Sequence, residues 1–250
     1  MSFRLDTDPT EALRKVEKIL LMLRFFRRFP YVSGAWPKYE YLKPWIVDLR
    51  PATVVDVGVN HGQFLHLATR LWPGSRFLGI EPNAAIAAKI AKIYARDARV
   101  RIEACAVGDR DGTAELYLAR DDQSSSIHPP AENYYDDRAG DAIVGTETVA
   151  LRRMDALLDG FAGPMFAKID VQGAELEVLE GFGGRLADVA ALVVEAPFEH
   201  AYVGAAGFDE IHAFLTAKGF SYEGSISQLT SKRTGRVRQQ DAVFVRKGGA

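Results

Sequence analysis

The residues best able to do chemistry stand in four short blocks: VVDVGVNHGQF (54–64), LGIEPN (78–83), ACAVGD (104–109) and KIDVQGAELEVLEG (168–181). In the first, Asp56 ends an apolar, β-branched run, and Gly58 and Gly62 precede a stretch with helical periodicity. A glycine there lets the chain turn sharply and lets a ligand approach the backbone, while the helix start offers free N–H groups. The dinucleotide pattern G-x-G-x-x-G is not met, because Asn60 stands where its second glycine would be. Asp56 would also meet a pyrophosphate with like charge; it suits a ligand with a cationic amino group. Glu81, ahead of Pro82 and Asn83, can accept from both hydroxyls of a ribose. Ala106 and Asp109 close the third run, where Asp109 could accept from an adenine amino group. Amino-acid end, ribose and adenine, in that order along one unit, describe S-adenosylmethionine.

A second set of residues suits proton transfer. Asp170 and Glu195 end later apolar runs, Glu175 lies one turn into the helix after Asp170, and His200 follows Glu195 by five residues. Two mechanisms remain open at this level. One of these groups, Asp170 or His200 first, acts as general base; or Asp170 and Glu195 hold a hard divalent cation such as Mg²⁺, which lowers a hydroxyl pKa. Bland roles compete with both: Asp170 as a helix cap, Glu175 as a structural carboxylate at a helix start, and His61, His128 and His200 as solvated loop residues. Ser124–Ser126 could meet a sugar or belong to an ordinary loop. The basic cluster Lys232, Arg233, Arg236 and Arg238 could meet a phosphate or form a solvated hairpin.

These residues need a scaffold that brings strand ends together. Residues 53–59, 75–81 and 100–108 read as buried strands, with helices over 61–72 and 83–96 between them. This alternation predicts a doubly wound α/β sheet with right-handed crossovers. Further strands are expected over 113–119, 166–171 and 189–197, a strand leading into a short helix over 148–158, and helices over 174–182 and 208–220. Two closing strands, 220–226 and 241–247, are joined without a helix, which predicts an antiparallel edge. The polar stretch 121–142 reads as a long loop, and the aromatic block 31–45 as a loop with a short helix.

The four chemical blocks resemble the FkbM family of class I methyltransferases, the Lys-Ile-Asp-x-x-Gly-x-Glu run at 168–175 most specifically, and SSSI (124–127) is similar to a serine-rich element of that family. The resemblance covers about residues 50–247. It implies a Rossmann-like sheet of seven strands, mostly parallel with an antiparallel C-terminal strand, over residues 51–250. It also implies S-adenosylmethionine-dependent O-methylation, often of sugar hydroxyls in glycans, glycolipids or natural products. Val59 and His61 depart from the usual turn. Two other classes compete: a nicotinamide-dependent oxidoreductase, disfavoured by Asn60 and Asp56, and a silent cofactor-binding module serving assembly or targeting.

Residues 1–50 read as an extension whose helix, 9–29, carries six basic residues against two acids, terminated by Pro30. A basic amphipathic helix suits a membrane surface, the main domain, or a second subunit of a homo-oligomer. Composition narrows the rest. Of 250 residues, 48% are hydrophobic and 26% charged, enough for a large core, and a net charge of -2 argues against a nucleic-acid binder. Cys105 is the single cysteine, so neither an intrachain disulfide nor a thiolate cluster can form. With no apolar stretch near the start and no run of about 18 apolar residues, a soluble, cytoplasmic protein is expected.

Overall fold

The computed structural model describes residues 44–135, 142–231 and 233–248. The expected helix over 9–29, most of the 31–45 block and Lys232 lie outside the described residues. The elements are α1 (Pro44–Val47), β1 (Thr53–Val57), α2 (Gln63–Leu71), β2 (Arg76–Ile80), α3 (Ala84–Ile93), β3 (Val100–Glu103), β4 (Ala106–Gly108), β5 (Gly112–Ala119), β6 (Ile143–Arg153), α4 (Met154–Leu157), β7 (Met165–Ile169), α5 (Glu175–Gly181), β8 (Val189–Pro197), α6 (Phe208–Ala217), β9 (Phe220–Thr230) and β10 (Val237–Arg246).

Seven strands form one sheet in the order β3-β2-β1-β7-β8-β10-β9. The first five run parallel, and β10 runs antiparallel to both β8 and β9. The expected doubly wound sheet with its antiparallel C-terminal strand is therefore present. Side-chain alternation along β1 explains why helices cover both faces. Val55 and Val57 enter a core that also holds Leu179 of α5 and Ile211 of α6. Val54 points the other way, into a core with Ile46, Phe64 and Leu67 from α1 and α2. β1 is buried along its whole length, as a central parallel strand must be.

One expected strand is two. The run 100–108 breaks at Ala104 and Cys105, so β3 pairs with β2 while β4 pairs with β6 in a separate three-stranded sheet, β4-β6-β5. No proline or glycine interrupts the run before Gly108, and local pattern cannot say which neighbour each half will pair with. Within the expected 121–142 loop, the described residues 121–135 carry regular turns. They form short 3₁₀ turns at Asp122–Ser124 and Glu132–Tyr135, and Tyr117 and Ser126 exchange backbone hydrogen bonds at 2.8 and 3.2 Å. Among the described residues, no helix is long and apolar enough to cross a membrane.

Candidate active site

A cavity of about 490 Å³ lies at the carboxyl ends of β1, β2 and β7, where an open α/β sheet binds its ligands. The turn after β1 supplies Gly58, Val59 and Asn60 to its wall, β2 supplies Ile80 and leads to Glu81 and Pro82, and Cys105, Ala106 and Val107 lie beyond them. Leu116 reaches in from the second sheet, Asp122, Gln123 and Ser125–Ile127 from the loop that follows it, and Lys168, Asp170, Val171 and Gln172 from the end of β7. The turn has the shape its glycines permit. Gly58 has φ 84°, and a Cβ built on it would fall 1.9 Å from the Asp170 carbonyl oxygen. The approach of β1 to the end of β7 therefore requires a residue without a side chain. Gly62, with φ 82°, stands at the N-cap of α2 and leads the chain into the helix rather than lining the cavity.

Glu81 is buried and organises the turn: its Oε2 accepts from Asn60 N–H and its Oε1 from Asn83 N–H, both at 2.9 Å. Desolvation raises its carboxyl above the ordinary range, partly offset by these two bonds. Asn83 caps α3, its side chain accepting from Ala85 and Ile86 N–H at 3.1 and 3.2 Å. Asp56 lies deeper, 1% exposed, beside Lys168 across the β1–β7 register. Neither of its oxygens has a hydrogen-bond partner, although Leu65 N–H at the start of α2 faces it. Burial outweighs Lys168 and pushes its carboxyl up to about 7. A buried acid with unused acceptors is costly unless a donor reaches it.

Asp109 corrects the expected assignment. The break at 104–105 carries it onto the second sheet, where its side chain pairs with Arg110 at 2.9 Å and its carbonyl accepts from Arg153. It does not line the cavity, whereas Ala106 does. The apolar wall of Val107, Leu116 and Ile127 instead offers a flat ring a place between the two sheets.

The expected proton-transfer residues separate in the same way. Asp170 lines the cavity, with Oδ2 3.0 Å from Lys168 Nζ and Oδ1 accepting from Gln172 Nε2 at 2.9 Å. Glu195 is joined to it by the same amide: Gln172 Nε2 donates to Glu195 Oε2 at 2.8 Å, and Gln239 Nε2 donates to Glu195 Oε1. Glu175 is structural, and its expected catalytic role falls away. Its carboxylate is buried and accepts from Val171 and Gly173 N–H at 3.0–3.1 Å, which holds the 170–173 turn. Burial pushes its pKa up to about 7 against those bonds. His200 is exposed in the loop after β8 and does not line the cavity, because the chain leaves the sheet edge after Glu199. His128 pairs with Glu177 at 3.1 Å, which raises its pKa, and donates from Nδ1 to the Val203 carbonyl. Of the basic cluster, Arg238 turns inward to Glu199 at 3.0 Å while Arg233 and Arg236 stay exposed.

The Asp170 and Glu195 pair does not fit a hard cation. Each of the four carboxylate oxygens faces an amide or ammonium donor, and among the described residues no group of three His, Cys, Asp or Glu is placed to hold a metal ion. Sequence reasoning missed Lys168 and Gln172. A lysine inside an apolar strand was the available signal for the first; nothing local marked the second.

The methyltransferase FkbM domain model matches residues 56–222, more than half of the chain. No curated protein matches it by sequence. Among solved structures, the O-methyltransferase TomG from Streptomyces achromogenes, involved in tomaymycin synthesis and crystallised with SAM, aligns at TM-score 0.51 and 13% identity over 99% of this chain and 100% of its own. The 1,6-didemethyltoxoflavin-N1-methyltransferase of Burkholderia thailandensis aligns at TM-score 0.45 and 14% identity, over 99% and 94%. Family match, sheet order and the turn after β1 agree: this chain belongs to the FkbM methyltransferase domain family and has the class I methyltransferase fold.

Proposed function

We propose that the protein transfers a methyl group from S-adenosylmethionine to a hydroxyl, that of a sugar or a sugar-bearing acceptor. The residues fit the cofactor. Glu81 and Asn60 border the cavity where a ribose would sit, Val107, Leu116 and Ile127 form an apolar slot, and Asp56 holds unpaired buried oxygens beside the turn. When bound, the cofactor supplies an electrophilic methyl carried on a sulfonium. The remaining work falls to this chain. Glu81 and the α2 N-terminus fix the cofactor's position, which is worth several orders of magnitude in an in-line displacement. Asp170 takes the acceptor's hydroxyl proton as the new C–O bond forms. Lys168 Nζ and Gln172 Nε2 hold its carboxylate at the cavity wall.

The observation that carries this reading is Asp170 at the cavity wall, held by Lys168 and Gln172 without a metal donor set. The adjoining Glu195, Gln172 and Gln239 are the side-chain types that hydrogen-bond hydroxyl groups, which supports a sugar acceptor. The test has two arms. Calorimetry with S-adenosylhomocysteine should give micromolar binding to wild type, weakened about 10–100-fold in Glu81→Ala, which loses two backbone bonds as well as its ligand contacts. Methyl transfer from labelled S-adenosylmethionine to a panel of methyl glycosides should fall about 10²–10⁴-fold in Asp170→Asn, with S-adenosylhomocysteine affinity held within a few-fold. Equal turnover in Asp170→Asn would remove the general-base assignment.

A further inference from the structure

The loop 121–127 is anchored unequally. At its far end Ser126 is buried, donates from Oγ to the Gln172 carbonyl at 2.6 Å, and pairs through its backbone with Tyr117. Ser125 Oγ accepts from Ala119 N–H at 3.2 Å, and Tyr202 Oη lies 2.9 Å from the Ser124 carbonyl. The near end, Asp122 and Gln123, lies over the cavity. It meets the turn after β1 through a side-chain pair: His61 Nε2 sits 3.1 Å from each carboxylate oxygen of Asp122. His61 belongs to the turn after β1, next to Asn60, whose N–H is bound by Glu81. The pair therefore spans the cavity mouth between two segments 61 residues apart in sequence.

We propose that His61 and Asp122 latch the 121–127 loop over the bound cofactor and set how long it stays. The inference rests on the cofactor reading above. The charged groups around the latch are Glu81, which faces both partners, and Asp121 on the same loop. Both latch side chains are partly exposed, at 50% and 39%. A side-chain pair this exposed contributes little to folding, so the fold does not need it, but the same small energy acts directly on opening.

The experiment measures S-adenosylhomocysteine dissociation by stopped-flow with the full-length chain. His61→Asn and Asp122→Asn should each raise the dissociation rate about two- to fivefold, with melting temperatures unchanged. The double variant should be no faster than the quicker single one, since both substitutions remove one contact. Glu115→Gln, an exposed charge change on β5, should leave the rate alone. Unchanged rates in the single variants, or rates that multiply in the double, would overturn the latch while leaving the cofactor reading intact. Wild type that binds no S-adenosylhomocysteine would overturn both.

Discussion

Asp56 shows how much one residue's surroundings decide. Its side chain is fully buried and pushed up to about 7, against an ordinary value of 3.8. The native protein therefore keeps this proton across a window in which the unfolded chain has lost it. The native state binds more protons from about pH 4 to pH 7, so this group's contribution to stability falls as pH rises through that window and stays reduced above it. Wild type should lose several degrees of melting temperature relative to Asp56→Asn between pH 5 and pH 8. Glu175 adds a slope of the same sign, shared by both proteins, and cancels in the difference. A difference that stays flat with pH would show that Lys168 or a bound group keeps Asp56 ionised in the native state. The type of residue was legible in the sequence, as an acid in an apolar run. Its lack of partners was not, because that depends on three elements meeting around it.

At the scale of elements, the turn from β1 to α2 and the turn from β7 to α5 are one structure. Gly58 lies against the Asp170 carbonyl, Glu175 ties down Val171 and Gly173, and Gln172 takes a left-handed φ of 58° to place its amide between two carboxylates. A non-glycine residue held in that region is a known mark of functional turns. Gly58→Ala should cost ~2–4 kcal/mol through strain and contact with the β7 end. It should also abolish measurable S-adenosylhomocysteine binding at pH 7.5, read by calorimetry alongside thermal unfolding. Retained affinity with lost stability would separate the turn's structural role from its binding role. Each turn could be found in the sequence by its glycines. Their mutual contact could not, since it follows from the parallel pairing of β1 with β7.

For the whole molecule, the cavity exists because a small second sheet closes against the edge of a large one. Leu116 comes from that second sheet, and Asp122, Gln123 and Ser125–Ile127 from the loop that follows β5, while the turn after β1 and Asp170 come from the first. A ligand seated between them binds the folded state and not the unfolded chain. S-adenosylhomocysteine at 100 times its Kd should therefore contribute about 2.7 kcal/mol of stability, or roughly 5–10 °C for a chain of this size. A shift confined to part of a multiphasic transition would mean that the two sheets unfold separately.

The sequence by itself determined the alternation of strands and helices, the antiparallel closing pair, the acids at the strand ends and the family of the chain. These are local: a period of two or 3.6, a glycine before a helix, a run of eight residues. The tertiary structure alone decided that the 100–108 run splits between two sheets, which removed Asp109 from the cavity and brought in Leu116 and Asp122. It also decided that Glu175 faces inward to backbone N–H groups and that Asp170 and Glu195 share an amide rather than a cation. The physical reason is the same throughout. A side chain's chemistry depends on which donors and charges face it, and those come from residues distant in sequence, brought together by sheet register.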